Sequence, residues 1–179
     1  HKISGYGLAA SLLFRLVWGI GGSRHSRFSD FVRPWREVRD YIRDLLTFAP
    51  HRIVGHNPLG GWMAVIMLAV IAMIVATGLY SVGDDVAGPL ADRIPRSMAL
   101  IATELHEAVF DILAVLAGLH VLGVRGASFL HRENLIRSMW NGRKLLPKIL
   151  AQDEEEPVAT GWGLVVALVA VAVVGFSLM

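Results

Sequence analysis

Apolar residues fill four long stretches of the chain: residues 3–20, broken only by Arg15, then 60–80, 98–124 and 161–179. Two longer runs, 57–83 and 160–179, contain no Asp, Glu, Lys or Arg. A helix needs about 20 apolar residues to cross the hydrocarbon of a bilayer. Lipid offers the backbone no hydrogen-bond partner, so each run must close its bonds within itself, as a helix. The alternating ten-residue pattern that a barrel requires is missing. The pattern predicts an all-α transmembrane helical bundle.

A different period appears at 34–48, PWREVRDYIRDLLTF. Trp35, Val38, Ile42, Leu45 and Leu46 recur at helical spacing with arginines on the other face, as in an amphipathic helix lying on the membrane surface. A plain connector helix fits the same pattern. Asn57 and Pro58 are placed as an N-cap and a first-turn proline. The run DEEE at 153–156 reads as a solvated linker before the last helix.

Composition narrows the chemistry. Of 179 residues 54% are hydrophobic and 18% charged, far from the balance of a soluble domain. Cysteine is absent, which excludes disulfides, thiolate metal sites and covalent CxxCH haem attachment. Charge also sets an expected orientation. Residues 24–52 hold seven arginines and residues 125–148 six basic side chains, whereas the 81–97 connector has Arg93 and Arg96 against Asp84, Asp85 and Asp92. Basic short loops stay cytoplasmic. The chain is therefore expected to be multi-pass, with its basic loops cytoplasmic and His1 and His106 near the outer face.

The third segment, ELHEAVFDILAVLAGLHVLG, carries two histidines, His106 and His120. Fourteen residues advance a helix by about 21 Å and return to nearly the same face. Polar residues at membrane depth are costly and usually functional. Two imidazoles on one stripe can each ligate one of two stacked metal centres, and a haem, flat and apolar, is the natural candidate. Ala117 and Gly118 would let a macrocycle approach the helix. The bland alternative is that each histidine bonds to a neighbouring helix or faces a watery cavity. Zinc needs three or four close ligands, and these two are too far apart to share one. His1 begins the first helix at the level of His106, and the pair closes one site. His120 finds no transmembrane histidine opposite, since His25, His51, His56 and His131 fall in the basic connections. A further helix before residue 1, bearing the missing imidazole, would resolve this and agrees with the start of the chain at HKISGY.

HKISGY, FRLVWGIGGSRHSRFSDF, GHNPLGGW, LHE and GLHV within one helix, and HRENLIRSMWNGRK occur in that order along the chain. Together they resemble the bacterial cytochrome b561 family, which includes the b-type cytochromes of nickel–iron hydrogenases. The resemblance implies a four-helix core holding two haem b groups by bis-histidine ligation, with one ligand from each of the first two core helices and two from the fourth. By position, His1 matches the second-helix ligand, and His106 and His120 match the fourth-helix pair. The first-helix ligand, in an Arg-x-x-His-Trp stretch, has no counterpart here. The implied architecture is thus a haem-binding domain at 1–150 whose first core helix is absent, followed at 151–179 by the acidic linker and an extra transmembrane helix. The implied role is electron transfer between the quinone pool and a partner redox protein on the outer side, a c-type cytochrome or a dehydrogenase or hydrogenase subunit. Quinone would be a substrate, lipid the surroundings, and no nucleic acid is expected.

Supporting residues carry a plain reading beside the functional one. Arg15 would clamp a haem propionate or snorkel to headgroups. Gly5, one turn after His1, would give the outer haem room or pack against a helix. Asn57 opens a helix whose positive end suits a propionate or quinone oxygen, or simply starts it. Glu107 would orient His106, accept a quinol proton, or remain solvated. Asp111, off the histidine stripe, would face another helix. The acidic 84–92 loop would meet a basic partner or carry ordinary loop charge. The leading function is an electron-transfer subunit, possessing enzyme status only through a complex such as a quinol-dependent oxidoreductase. The alternatives are a non-redox transporter relaying protons through the histidines and Asp111, and a membrane anchor for a larger oxidoreductase.

Overall fold

The structure is a computed structural model and describes residues 1–23, 26–47, 57–83, 86–130 and 160–176. Six α-helices account for most of them: α1 (Lys2–Gly21), α2 (Phe28–Phe31), α3 (Trp35–Leu46), α4 (Pro58–Tyr80), α5 (Arg96–Leu130) and α6 (Thr160–Phe176), with a 3₁₀ turn at Ala91–Arg93. Among the described residues there is no strand, only one isolated bridge between Val82 and Ala87. The all-α prediction holds. α1, α4 and α5 are each long and apolar enough to cross a membrane. The chain is an integral membrane protein on that basis and on the family membership below. α6 is free of charge and is described over 17 residues, the lower limit for a span. The boundary at residue 150 and the acidic run lie outside the described residues.

Local chemistry explains the helix ends. The Asn57 side chain accepts from the Gly60 amide at 2.6 Å, and Pro58 occupies the first turn, where a missing N–H costs nothing. α1 closes at Gly22, whose amide donates to the Trp18 carbonyl at 2.8 Å. α5 starts after Pro95, whose carbonyl accepts from the amides of Met98 and Ala99. It runs for 35 residues, about 52 Å, well beyond the predicted 98–124, continuing through GVRGASFL, which contains no proline.

The principal neighbours run α6–α1–α4–α5, with α3 laid against the start of α4. Small residues set the approaches. The Trp18 ring lies on Gly163 of α6, and the Phe28 ring covers Gly19 of α1. A Cβ at Gly61 would overlap the Phe31 carbonyl oxygen. That close approach brings the α2–α3 segment onto α4, where Trp62 Nε1 donates to the Arg33 carbonyl at 2.9 Å. Phe31 and Val38 are each only 1% exposed.

α3 follows the predicted stripe in part, with Ile42 and Leu45 half-buried. Val38 and Tyr41 are buried, while Trp35 and Leu46 are 69% and 75% exposed. Contact with α4 leaves Tyr41 turned inward, near the Asn57 side chain. Burial pushes the Tyr41 pKa above its ordinary value, and the Asn57 side chain pulls the other way.

The connector from α4 to α5 is strapped over the Tyr80 end of α4. Gly88 donates to Ser81 at 2.8 Å and Leu90 to Leu79 at 2.9 Å. A side chain at Gly88 would collide with the carbonyls of Gly78 and Leu79. Thr103 of α5 holds the other edge: its hydroxyl accepts from the Val82 amide at 2.9 Å and lies 3.0 Å from the Val82 carbonyl.

Candidate functional site

α5 carries His106 to the level of the Tyr80 end of α4, and α1 brings His1 to meet it. The two ring centres are 5.7 Å apart with perpendicular planes. Sequence reasoning paired these residues, and the structure does bring them together. They open on a cavity of about 510 Å³ lined by α1, α4, α5 and the strap, a size typical of small-molecule and cofactor sites. Its walls are mostly apolar, with Glu107, Ser4 and Tyr6 among the polar exceptions.

α4 supplies features that sequence reasoning missed. His106 Nδ1 lies 3.0 Å from the Ile74 carbonyl oxygen and 3.1 Å from Thr77 Oγ1. A carbonyl only accepts, so Nδ1 carries the proton and a neutral ring leaves Nε2 bare. Nε2 has no hydrogen-bond partner among the described residues. A Cβ on Gly78 would stand 3.0 Å from His106 Cε1 and 3.3 Å from Nδ1, so the imidazole lies close against α4 because residue 78 has no side chain. The bland expectation, a histidine bonded to the next helix, accounts for Nδ1. It leaves the other nitrogen unexplained.

These residues fit a haem. Among the described residues no three of His, Cys, Asp or Glu gather closely enough to hold a bare metal ion, so a metal between His1 and His106 must bring its remaining ligands with it. With metal–imidazole bonds of about 2 Å, two rings sharing one metal have centres about 6 Å apart, close to the observed spacing. Gly5 lines the same cavity with nothing within 4 Å of its missing Cβ. The wall is open there, as a macrocycle between α1 and α5 requires.

The other predicted residues sit elsewhere. His120 is half-buried on the same unbroken helix as His106, about 21 Å further along. No described residue hydrogen-bonds to it, and Gly118 beside it is open. His25, His51, His56 and His131 lie outside the described residues. Arg15 donates to the Ser26 carbonyl at 3.0 Å, and its guanidinium sits 5.0 and 5.3 Å from the centres of the Phe28 and Phe31 rings. Among the described residues it therefore holds the α1–α2 turn through a hydrogen bond and cation–π contacts. Asn57 is the N-cap of α4. Asp111 was expected to face another helix. It is instead exposed, without a hydrogen-bond or ionic partner among the described residues, and does not line the cavity. Its direction on α5 leads away from α4, the main neighbour of that helix.

The family model described as prokaryotic cytochrome b561 matches residues 1–142. A probable Ni/Fe-hydrogenase B-type cytochrome subunit of Azotobacter chroococcum mcd 1 is 29% identical over 164 residues, covering 81% of this chain and 67% of the relative. Its counterpart in Rhizobium leguminosarum bv. viciae is 28% identical with the same coverage. That of Cupriavidus necator is 35% identical over 92 residues, covering 47% of this chain and 38% of the relative. The chain thus spans at most about two thirds of these relatives. No solved structure matches it. With the family model covering most of its length, and with an imidazole pair set in an apolar cavity between membrane helices, the chain belongs to the prokaryotic cytochrome b561 family of membrane b-type cytochromes that carry electrons.

Proposed function

We propose that the chain is a dihaem subunit that moves electrons across a bacterial inner membrane, between the quinone pool and a redox protein docked at its His1 end. The observation that carries this reading is His106, with Nδ1 bonded to α4, Nε2 bare, and His1 beside it. Bound between the two imidazoles, a haem b supplies a one-electron Fe(III)/Fe(II) couple. His1 and His106 would supply its imidazole ligands. Gly5 and Gly78 make room, and the walls are mostly apolar. His120 holds the second haem at the other depth, with a ligand from outside the described residues. The basic residues at 24–52 and 125–148 face the cytoplasm, so the His1 end and its strap face outward. The names of the relatives favour a hydrogenase-type partner over a c-type cytochrome. Asp111 lies outside the cavity that contains His106, which weighs against a proton relay through the two.

An optical spectrum of the purified protein tests this reading. Reduction should produce the sharp α and Soret bands of a b-type haem. A colourless preparation would overturn it in favour of the transporter.

A further inference from the structure

Thr77 has one proton to donate, and its own helix takes it. The hydroxyl lies 2.7 Å from the Met73 carbonyl and 3.2 Å from that of Ile74, the back-bond that threonine commonly makes one turn down a helix. Its lone pairs remain, and His106 Nδ1 stands 3.1 Å away. The Nδ1 proton is thus shared between two acceptors on one turn of α4, the Ile74 carbonyl and the Thr77 hydroxyl. The carbonyl belongs to the backbone and persists through any substitution. The hydroxyl is the part that the sequence chooses.

We propose that Thr77 is a positioning residue for the haem at His1 and His106, fixing the His106 tautomer and lowering the potential of that haem through the shared Nδ1 proton. The inference rests on the dihaem reading above. Two acceptors on Nδ1 hold the proton there, so Nε2 offers its lone pair without a tautomer change. They also raise the basicity of the ligand. A more basic ligand favours Fe(III) over Fe(II), which moves the potential down. Gly78, the next residue, lets the ring come close enough for the contact to form.

The experiment is a redox titration of the full chain in detergent, with haem content measured in parallel, for wild type, Thr77→Val and Thr77→Ser. Valine keeps the shape and removes the acceptor, and serine keeps the acceptor. The component to follow is the one that His106→Ala lacks. In Thr77→Val its reduced-to-oxidised ratio at fixed potential should rise about threefold, which is ~30 mV upward at 59 mV per tenfold for one electron, while Thr77→Ser stays near wild type. Loss of that haem in Thr77→Val with retention in Thr77→Ser also supports the role. An unchanged potential in a fully loaded Thr77→Val, or a serine variant that behaves like valine, overturns the inference and leaves the dihaem reading standing. Wild type without haem defeats that reading itself.

Discussion

Replacing Gly78 by valine should strip the haem from His1 and His106 while the helices stay in place. Already a single Cβ at this position would sit 3.0 Å from His106 Cε1, closer than carbon atoms settle without movement. Valine adds two methyl groups and a stiff χ1 on top of that. The imidazole cannot retreat and still keep its bonds to Ile74 and Thr77. Valine is the better helix former of the two residues, so α4 itself gains from the change and the loss falls on the ligand. Alanine should be intermediate, with the haem retained but its potential shifted. Haem content per chain, read beside helicity by circular dichroism, distinguishes these outcomes. A Gly78→Val protein with wild-type haem would show that the ring does not lie where α4 places it.

The second large effect is expected at Gly61, near the opposite end of α4 from the residues that meet His106. The Phe31 carbonyl rests where a Cβ would be, and around that contact Phe31, Val38 and Tyr41 are buried. Gly61→Val should force the α2–α3 segment off α4 at a cost of about 1–3 kcal/mol, with the Trp62–Arg33 bond lost along with it. The variant should unfold at lower temperature in detergent and be cut by protease between residues 26 and 47, with the haem at His1 and His106 little changed. Protection equal to wild type would contradict the packing.

The contrast between these two glycines shows what could be read from the residues alone. The spans α1, α4 and α5 were legible because lipid leaves a long, mostly apolar run only one way to satisfy its backbone. The pairing of His1 with His106 was legible because helix rise fixes depth. Gly78 and Thr77 were not. In IVATGLY they are two small residues in an apolar run, and nothing marks them until α5 is docked and His106 falls opposite. Arg15 shows the same limit from the other side. Its charge invited a propionate or a headgroup, yet the rings that receive it come from SRFSDF, a segment too short to show a period. Asp111 is exposed among the described residues, and the neighbours around α5 cannot be counted from α5 itself. Likewise the stripe on α3 was legible at Val38, Ile42 and Leu45, whereas the burial of Tyr41 shows only once α3 lies on α4.

The account stands on iron held by imidazoles at two depths of α5. Pyridine haemochrome quantitation on the full chain, beside His1→Ala, His106→Ala and His120→Ala, measures this directly. Two b haems per chain are predicted, with His1→Ala and His106→Ala losing the same one and His120→Ala the other. Equal haem content in all four proteins, or none in wild type, would contradict it.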